Sequence, residues 1–158
     1  TRVVQATASP PLVTMARDRI PDLVEEAAAT LGQAGIEVRL AAGDSGVLWE
    51  KVARLAPLAA LTALTGKPVG ELRHDPRLRA GVVETCSVAA AAGAQVSASE
   101  QWRIIEALPP WLTTSAARDV AAGRPSELDA IVGAVVRAGR QLGVETPTLT
   151  ELLAQCRA

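Results

Sequence analysis

Proline and glycine divide most of this sequence into segments of helical length. Pro76 and Pro147 stand where helices can begin, because proline fits the first turn of a helix. Gly93 and Gly143 stand where helices can end, because glycine readily adopts the left-handed conformation of a C-cap. Between such positions, apolar residues recur every three or four residues. The pattern predicts helices over residues 44–64, 75–92, 99–108, 111–122, 125–142 and 146–156, with Gly123 after the fourth and Pro57 kinking or splitting the first.

The first forty residues carry a different pattern, with short apolar runs around Val3 and Leu12 that are typical of strands. A helix is predicted to begin at Pro21 and to end at Gly35. Residues 36–40 then alternate between apolar and polar, as a half-buried strand does. So few elements cannot close a core. We therefore expect residues 1–42 to be the incomplete end of an α/β domain, and residues 43–158 to form an all-helical domain of a mainly α protein.

Composition and charge exclude several classes of protein. A net charge of −1 and an isoelectric point near 5.8 argue against nucleic acid or an anionic membrane surface as the partner. No stretch approaches the about 20 apolar residues of a membrane span. Cys86, Cys156 and His74 lack metal-ligand spacing, so no metal site is expected. With neither Phe nor Tyr, the core must come mainly from aliphatic residues, which suits closely packed helices.

Lysine is rare in this chain, since only Lys51 and Lys67 are lysines among 16 basic residues. On a helix, Lys51 shares a face with Leu55 and Leu58, which places its ammonium on or beside an apolar stripe. Burial there would make it a better general acid. The alternative is a lysine whose side chain runs along the edge of the stripe and reaches solvent.

Three other polar residues have structural explanations on spacing alone. Glu127 lies in the first turn of a predicted helix, where the helix dipole favours negative charge. Ser115 can be a simple helix cap. His74 lies in a charged turn, where a solvated role is the simplest. The sequence also lacks a glycine-rich phosphate loop of either common kind.

Several runs stand in the order of a known family. Residues 48–52 (Leu-Trp-Glu-Lys-Val), 61–66 (Leu-Thr-Ala-Leu-Thr-Gly) and 70–72 (Gly-Glu-Leu) come first. Residues 115–119 (Ser-Ala-Ala-Arg-Asp), 123–129 (Gly-Arg-Pro-Ser-Glu-Leu-Asp), Gly133 and 143–147 (Gly-Val-Glu-Thr-Pro) follow, and Glu84 and Gly93 also match. From about residue 44 to the end, this pattern resembles the C-terminal helical domain of ketopantoate reductases (2-dehydropantoate 2-reductases).

The resemblance implies an NADPH-dependent reduction of a 2-oxo acid, ketopantoate, on the route to pantothenate. It implies a helical domain like that of 6-phosphogluconate dehydrogenase, after a Rossmann-type domain of which residues 1–42 would be the end. Lys51 would be the catalytic general acid. Ser115 would bind the substrate carboxylate, and Glu127 would lie near both substrate and cofactor. The expected location is the cytoplasm, with a homodimer formed through the helical domain.

Two departures from the family pattern leave alternatives open. The family commonly has asparagine four and eight residues after the lysine, where this chain has Leu55 and Ala59. An apolar wall there favours a different, more apolar 2-oxo acid. Because it lacks the phosphate loop, this chain is expected to be inactive alone. We therefore expect it to be part of a longer chain. The remaining alternative is a non-catalytic helical dimerisation module.

Overall fold

A computed structural model describes residues 12–17, 20–41 and 43–157, with Asp44 described in its backbone only. The predicted strand around Val3 lies outside these residues. The chain divides into two compact units, residues 1–48 and 49–158. Each unit is described by itself.

The first unit contains a strand, a helix and a second strand. Strand β1 spans Leu12–Ala16, helix α1 spans Pro21–Gln33, and strand β2 spans Glu37–Ala41. The strands pair in parallel, with Leu12 opposite Glu37 and Ala16 opposite Ala41. Parallel neighbours need a crossover connection, and α1 lies in that connection. The α/β character predicted for this segment is confirmed.

The second unit is helical, and α2 enters it from the first. The helices are α2 (Asp44–Thr65), α3 (Val69–Leu72), α4 (Pro76–Ala91), α5 (Ala98–Ala107), α6 (Ser115–Ala121), α7 (Ala134–Leu142) and α8 (Pro147–Arg157). A π-helical turn, Asp129–Gly133, leads directly into α7. The predicted mainly α fold is therefore confirmed.

Helix α2 contributes several buried residues to the second unit's core. Pro57 lies inside it and is buried, and the helix continues to Thr65. Proline removes one helical hydrogen bond, but the residues around it are held by packing. Ala53, Ala56 and Ala60 are fully buried, and their small side chains let neighbouring helices approach closely. Of the two predicted effects of Pro57, a kink or a split, the split does not occur.

Three boundaries differ from the sequence pattern. Helix α6 begins at Ser115 rather than at residue 111, because Thr114 caps it by accepting a hydrogen bond from the Ala117 N–H at 3.2 Å. Residues 124–126 are not helical, so the helix predicted from residue 125 begins later, at Leu128. The four-residue α3 lies where only a connection was predicted.

Helix α8 receives a hydrogen-bonding partner from α4. The Glu84 carboxylate accepts from the Thr148 N–H at 2.8 Å and from the Leu149 N–H at 3.0 Å. These N–H groups have no partner within the helix, and negative charge is favourable at a helix N-terminus. Glu84 therefore completes the first turn of α8.

The described residues contain neither a membrane-spanning helix nor a metal-binding cluster of side chains. No helix among them is both long and apolar enough to cross a membrane. In the same part of the chain, no group of three or more His, Cys, Asp or Glu side chains is placed to hold a metal ion.

Candidate functional site

A cavity of about 310 Å³ lies in the second unit, between α2, the start of α3, the segment before α6 and the first residue of α6. Its volume falls at the lower end of the range of small-molecule sites, about 300–1,000 Å³. One part of its lining is polar and carries two cations and three hydroxyl groups. These residues are Lys51, Arg54, Thr113, Thr114 and Ser115. Among the described residues that line it, none is acidic.

The other part of the lining is aliphatic. Leu55, Leu58, Val69, Leu108 and Leu112 form this wall. Positive charge and hydroxyl donors favour an anionic group, and the wall favours an apolar one. The cavity therefore suits a small molecule with a carboxylate at one end and an apolar substituent at the other.

Helix α2 supplies one face of the cavity because of its residue spacing. Lys51, Arg54, Leu55 and Leu58 stand at positions i, i+3, i+4 and i+7, which share one side of a helix. Lys51 is exposed and forms no ion pair with a described residue. Of the two alternatives left open by the sequence, the structure therefore shows the second, a lysine that reaches solvent, because Lys51 lies near the start of α2, where the buried core has not yet begun.

Hydrogen bonds to the described residues Gln101 and Glu50 help to hold Arg54 in place. Its Nη1 donates to Gln101 Oε1 at 2.5 Å and to the Glu50 carbonyl oxygen at 2.9 Å. Gln101 lies on α5 and is only 2% exposed. Arg54 was not predicted from the sequence as a residue of this cavity. The signal that points to it is its position three residues after Lys51, on the same helical face.

Thr114 connects α2 to α6 beside the cavity. Its hydroxyl lies 2.7 Å from Thr62 Oγ1, and Thr62 is fully buried on α2. The same Thr114 oxygen accepts the Ala117 N–H. Because Thr114 is fixed at both ends, it positions Ser115, the first residue of α6, at the cavity.

The start of α3 holds the segment that closes the opposite side. Val69 N–H donates to the Leu112 carbonyl at 2.9 Å, and Gly70 N–H donates to the Pro110 carbonyl at 2.8 Å. Arg73 donates to the carbonyl oxygens of Ile105 and Leu108. The end of α5 and the segment before α6 are thus anchored on α3 and on Arg73, the residue that follows it.

The structure brings two of the three predicted site residues together. Lys51 and Ser115 line the same cavity. Glu127 is exposed, lies just before Leu128 and is not among the residues that line that cavity. Leu55, at one of the two positions where the family commonly has asparagine, is part of the aliphatic wall, whereas Ala59 at the other is fully buried.

Two other cavities lie in the second unit. The larger, about 680 Å³, lies around the connection from α7 to α8, and its charged residues are Arg140, Glu145 and Glu151. The other, about 400 Å³, contains Glu50 and Glu100 and lies beside the start of α5. Neither combines an excess of positive charge with an aliphatic wall. Among these cavities of the described residues, the one lined by Lys51, Arg54 and Ser115 is therefore the best candidate for binding an organic anion.

Comparison with known proteins places this geometry in a family. The model of the ketopantoate reductase PanE/ApbA C-terminal region matches residues 45–158. The chain belongs to the ketopantoate reductase family. A curated relative, the 2-dehydropantoate 2-reductase of Pyrobaculum aerophilum, is 36% identical in an alignment of 135 positions that covers 81% of this chain and 48% of that protein.

Solved structures share the fold. The PanE/ApbA family ketopantoate reductase from Ralstonia eutropha matches 95% of this chain and 51% of its own, at 28% identity and a TM-score of 0.79. A dimeric ketopantoate reductase from Staphylococcus aureus matches 91% of this chain and 52% of its own, at 24% identity and a TM-score of 0.76. D-mandelate dehydrogenase, solved with NADH and anilino(oxo)acetate, matches 92% of this chain and 51% of its own, at 20% identity and a TM-score of 0.81. The last two likenesses, below 25% identity, show the fold alone.

The match is to one part of these proteins. The chain spans about half the length of the curated relatives it matches. Within the ketopantoate reductase family, it corresponds to the C-terminal region named by the family model.

Proposed function

We propose that this chain is the substrate-binding part of an NADPH-dependent oxidoreductase that reduces a 2-oxo acid, as 2-dehydropantoate 2-reductase does. The observation that carries this proposal is the cavity that brings Lys51 and Ser115 together beside an aliphatic wall. Family membership supplies the reaction class, and three curated relatives bear the name 2-dehydropantoate 2-reductase.

Lys51 and Ser115 have separate roles in this proposal. The Lys51 ammonium donates a proton to the carbonyl oxygen of the 2-oxo acid while carbon C2 is reduced, and it stabilises the negative charge that develops on that oxygen. The neutral amine then takes up a proton from water, which its exposure permits. The Ser115 hydroxyl donates a hydrogen bond to the substrate carboxylate. Thr114 keeps that hydroxyl at the cavity through its bonds to Thr62 and α6.

This chain has a cavity suited to the substrate but no loop suited to the phosphates of the cofactor. A reduced nicotinamide supplies the hydride when it is bound. The sequence has no glycine-rich loop for the dinucleotide phosphates. We therefore assign Glu127 to contact with cofactor and substrate on the resemblance alone, and we expect these 158 residues by themselves to be inactive.

The proposal extends to domains and partners. Residues 1–42 would be the end of a Rossmann-type nucleotide-binding domain, and residues 43–158 the helical substrate and dimerisation domain. A homodimer through the helical domain is proposed because a protein of this fold is described as a dimeric ketopantoate reductase. We further propose a cytoplasmic location and neither nucleic acid nor membrane as a partner.

A second candidate is a reductase of the same fold that acts on a more apolar 2-oxo acid. Leu55 supports it, because an aliphatic side chain in the cavity wall offers no hydrogen bond to a hydroxylated substrate. A protein of this fold, D-mandelate dehydrogenase, was solved with anilino(oxo)acetate. A non-catalytic dimerisation module is the third alternative.

The decisive experiment is turnover by the product of the native gene, whose intact mass is measured first. A mass near twice the 16.3 kDa of this chain would indicate a nucleotide-binding half. NADPH and NADH oxidation is then followed with a panel of 2-oxo acids for wild type, Lys51→Ala and Lys67→Ala. Lys67 is the matched control because it is the other lysine and does not line the cavity. We expect Lys51→Ala to lose about 100-fold or more in kcat with an unchanged melting temperature. Equal turnover of the two variants would overturn the proposal.

The substrate is tested at Leu55. Leu55→Asn should raise kcat/KM for ketopantoate relative to an unsubstituted aliphatic 2-oxo acid, if the apolar wall has moved specificity away from hydroxylated substrates. Leu55→Met, which keeps an apolar side chain of similar volume, is the control. Ala59 is unsuitable for this test, because it is fully buried and asparagine there would disrupt packing. A fall in ketopantoate turnover equal to that of Leu55→Met would contradict the second candidate.

A further inference from the structure

We propose that Arg54 binds the substrate carboxylate and that Gln101 is a positioning residue that holds the Arg54 guanidinium in place. This inference rests on the proposed function, since it concerns the same cavity. The structure points to it through the paired arrangement of a cation that lines the cavity and a buried amide behind it.

The first argument is the location of Arg54. It lines the cavity together with Lys51, three residues earlier on α2, and with Ser115 on α6. The guanidinium is planar, and its N–H donors match the two oxygens of a carboxylate. Lys51 is assigned to the carbonyl oxygen, so a second cation beside it serves the adjacent carboxylate. In a 2-oxo acid the carbonyl oxygen and the carboxylate group are both attached to carbon C2.

The second argument is the chemistry of Gln101. A buried amide is costly unless it is hydrogen-bonded. Gln101 is 2% exposed, and its Oε1 accepts from Arg54 Nη1 across 47 residues of chain. The amide oxygen is a neutral acceptor, so it orients the guanidinium and brings no negative charge of its own to the cavity. The Glu50 carbonyl oxygen, which also accepts from Nη1, fixes the same end of the side chain.

The third argument is that the Arg54 side chain is already ordered. Arginine loses considerable side-chain freedom when it is ordered. Here that ordering is already made by contacts with α2 and α5, before a ligand arrives. A carboxylate that enters the cavity therefore meets a preorganised cation, which lowers the entropic cost of binding.

The test uses the product of the native gene with Arg54→Ala, Arg54→Lys, Gln101→Met and the control Arg103→Ala. Arg103 is exposed on α5, two residues from Gln101, and does not line the cavity. We expect Arg54→Ala to raise KM for the 2-oxo acid about 10- to 100-fold and to change kcat by less than about threefold. Arg54→Lys should restore part of the affinity, and added guanidinium ion should restore part of it in Arg54→Ala.

Carboxylate recognition is measured directly with a methyl ester of the same 2-oxo acid. Wild type should prefer the acid, and Arg54→Ala should lose most of that preference, because the ester lacks the charge that Arg54 binds. Gln101→Met should change KM in the same direction by a smaller factor. The double variant Arg54→Ala, Gln101→Met should be no worse than Arg54→Ala, since Gln101 acts through Arg54. Melting temperatures identify variants that fail to fold.

The outcomes separate the two proposals. If Lys51→Ala abolishes turnover while Arg54→Ala retains the KM and acid preference of Arg103→Ala, the role of Arg54 is overturned and the proposed function stands. If wild type reduces no 2-oxo acid, the proposed function fails. The role of Arg54 is then decided by calorimetric binding of 3-methyl-2-oxobutanoate. Binding that is about 10-fold weaker or more in Arg54→Ala supports it, and equal or absent binding overturns it.

Discussion

Gly70 and Pro110 are in such close contact that there is no room for a side chain between them. A Cβ on Gly70 would lie 2.7 Å from Pro110 Cβ and 2.9 Å from the Pro110 carbonyl oxygen, which also accepts the Gly70 N–H. This contact holds the segment that lines one side of the cavity. A methyl group at position 70 must therefore displace backbone, not the end of a flexible side chain.

We predict that Gly70→Ala lowers the free energy of unfolding by about 1–3 kcal/mol, although alanine is the better helix former. Hydrogen exchange of the Leu112 amide and its neighbours should become faster, because the segment loses its anchor on α3. Gly46→Ala is the control, since a Cβ on Gly46 has nothing within 4 Å. Equal stabilities of the two variants would contradict the close packing.

Gly81 on α4 makes a similar contact with the proline inside α2. A Cβ there would lie 2.7 Å from Pro57 Cβ and 3.2 Å from Leu149 Cδ2. We predict that Gly81→Ala costs about 1–3 kcal/mol by chemical denaturation. The double variant Gly81→Ala, Pro57→Ala should recover part of that loss, because removing the ring makes space and restores a helical N–H. An additive loss in the double variant would show that the two residues do not interact.

Asp75 should make stability depend on pH in acid. Its hydrogen bonds with the Arg77 side chain lower the pKa of the Asp75 carboxyl below its usual value. The native pKa is therefore lower than the unfolded one, so this pair stabilises the protein above about pH 4. That contribution is lost as the pH falls from there through the native pKa.

Asp75→Asn isolates this effect. Asparagine remains a good N-cap for α4 but carries no charge. We expect the variant to lose less free energy of unfolding than wild type between about pH 5 and about pH 3. At neutral pH the difference should be only about 0.5–1 kcal/mol, because the Arg77 side chain is 37% exposed. Parallel pH profiles for the two proteins would refute this role.

Both cysteines should be unreactive in the folded protein. Burial raises the pKa of the Cys86 thiol and of the Cys156 thiol, which lowers the fraction of reactive thiolate. Cys156 Sγ also donates to the Ala60 carbonyl oxygen at 3.5 Å. We predict that a disulfide reagent labels the native protein at least about tenfold more slowly than the unfolded one at about pH 8. Cys86→Ala reports on Cys156 alone, and labelling as fast as in denaturant would contradict the model of two protected thiols.

Local chemistry explains which parts of the fold could be predicted. The predicted helix ends at Gly35, Gly93, Gly123 and Gly143 all have positive φ, from 65° to 84°. A left-handed C-cap depends on one residue and its immediate neighbours, so glycine reveals it. The hydrogen bonds from α3 to the carbonyls of Pro110 and Leu112 join residues that are distant in the sequence. No local sequence pattern predicts them.

The same distinction applies to the candidate site. Lys51 could be singled out because it is one of two lysines and lies on an apolar helical face. Arg54 is one of many arginines, and its role depends on Gln101, 47 residues away on another helix. The exposure of Lys51 also follows from where the core begins along α2, which periodicity alone does not show.

The contact between Glu84 and the first turn of α8 affects how this C-terminal helix forms. An isolated helix of the length of α8, 11 residues, is marginal in water. Its first turn is completed only by a carboxylate that lies 64 residues earlier in the chain. We expect a peptide of residues 147–157 to be largely unfolded in water. During synthesis, Glu84 leaves the ribosome well before Thr148 does. Helix α4 can therefore serve as the template on which α8 nucleates.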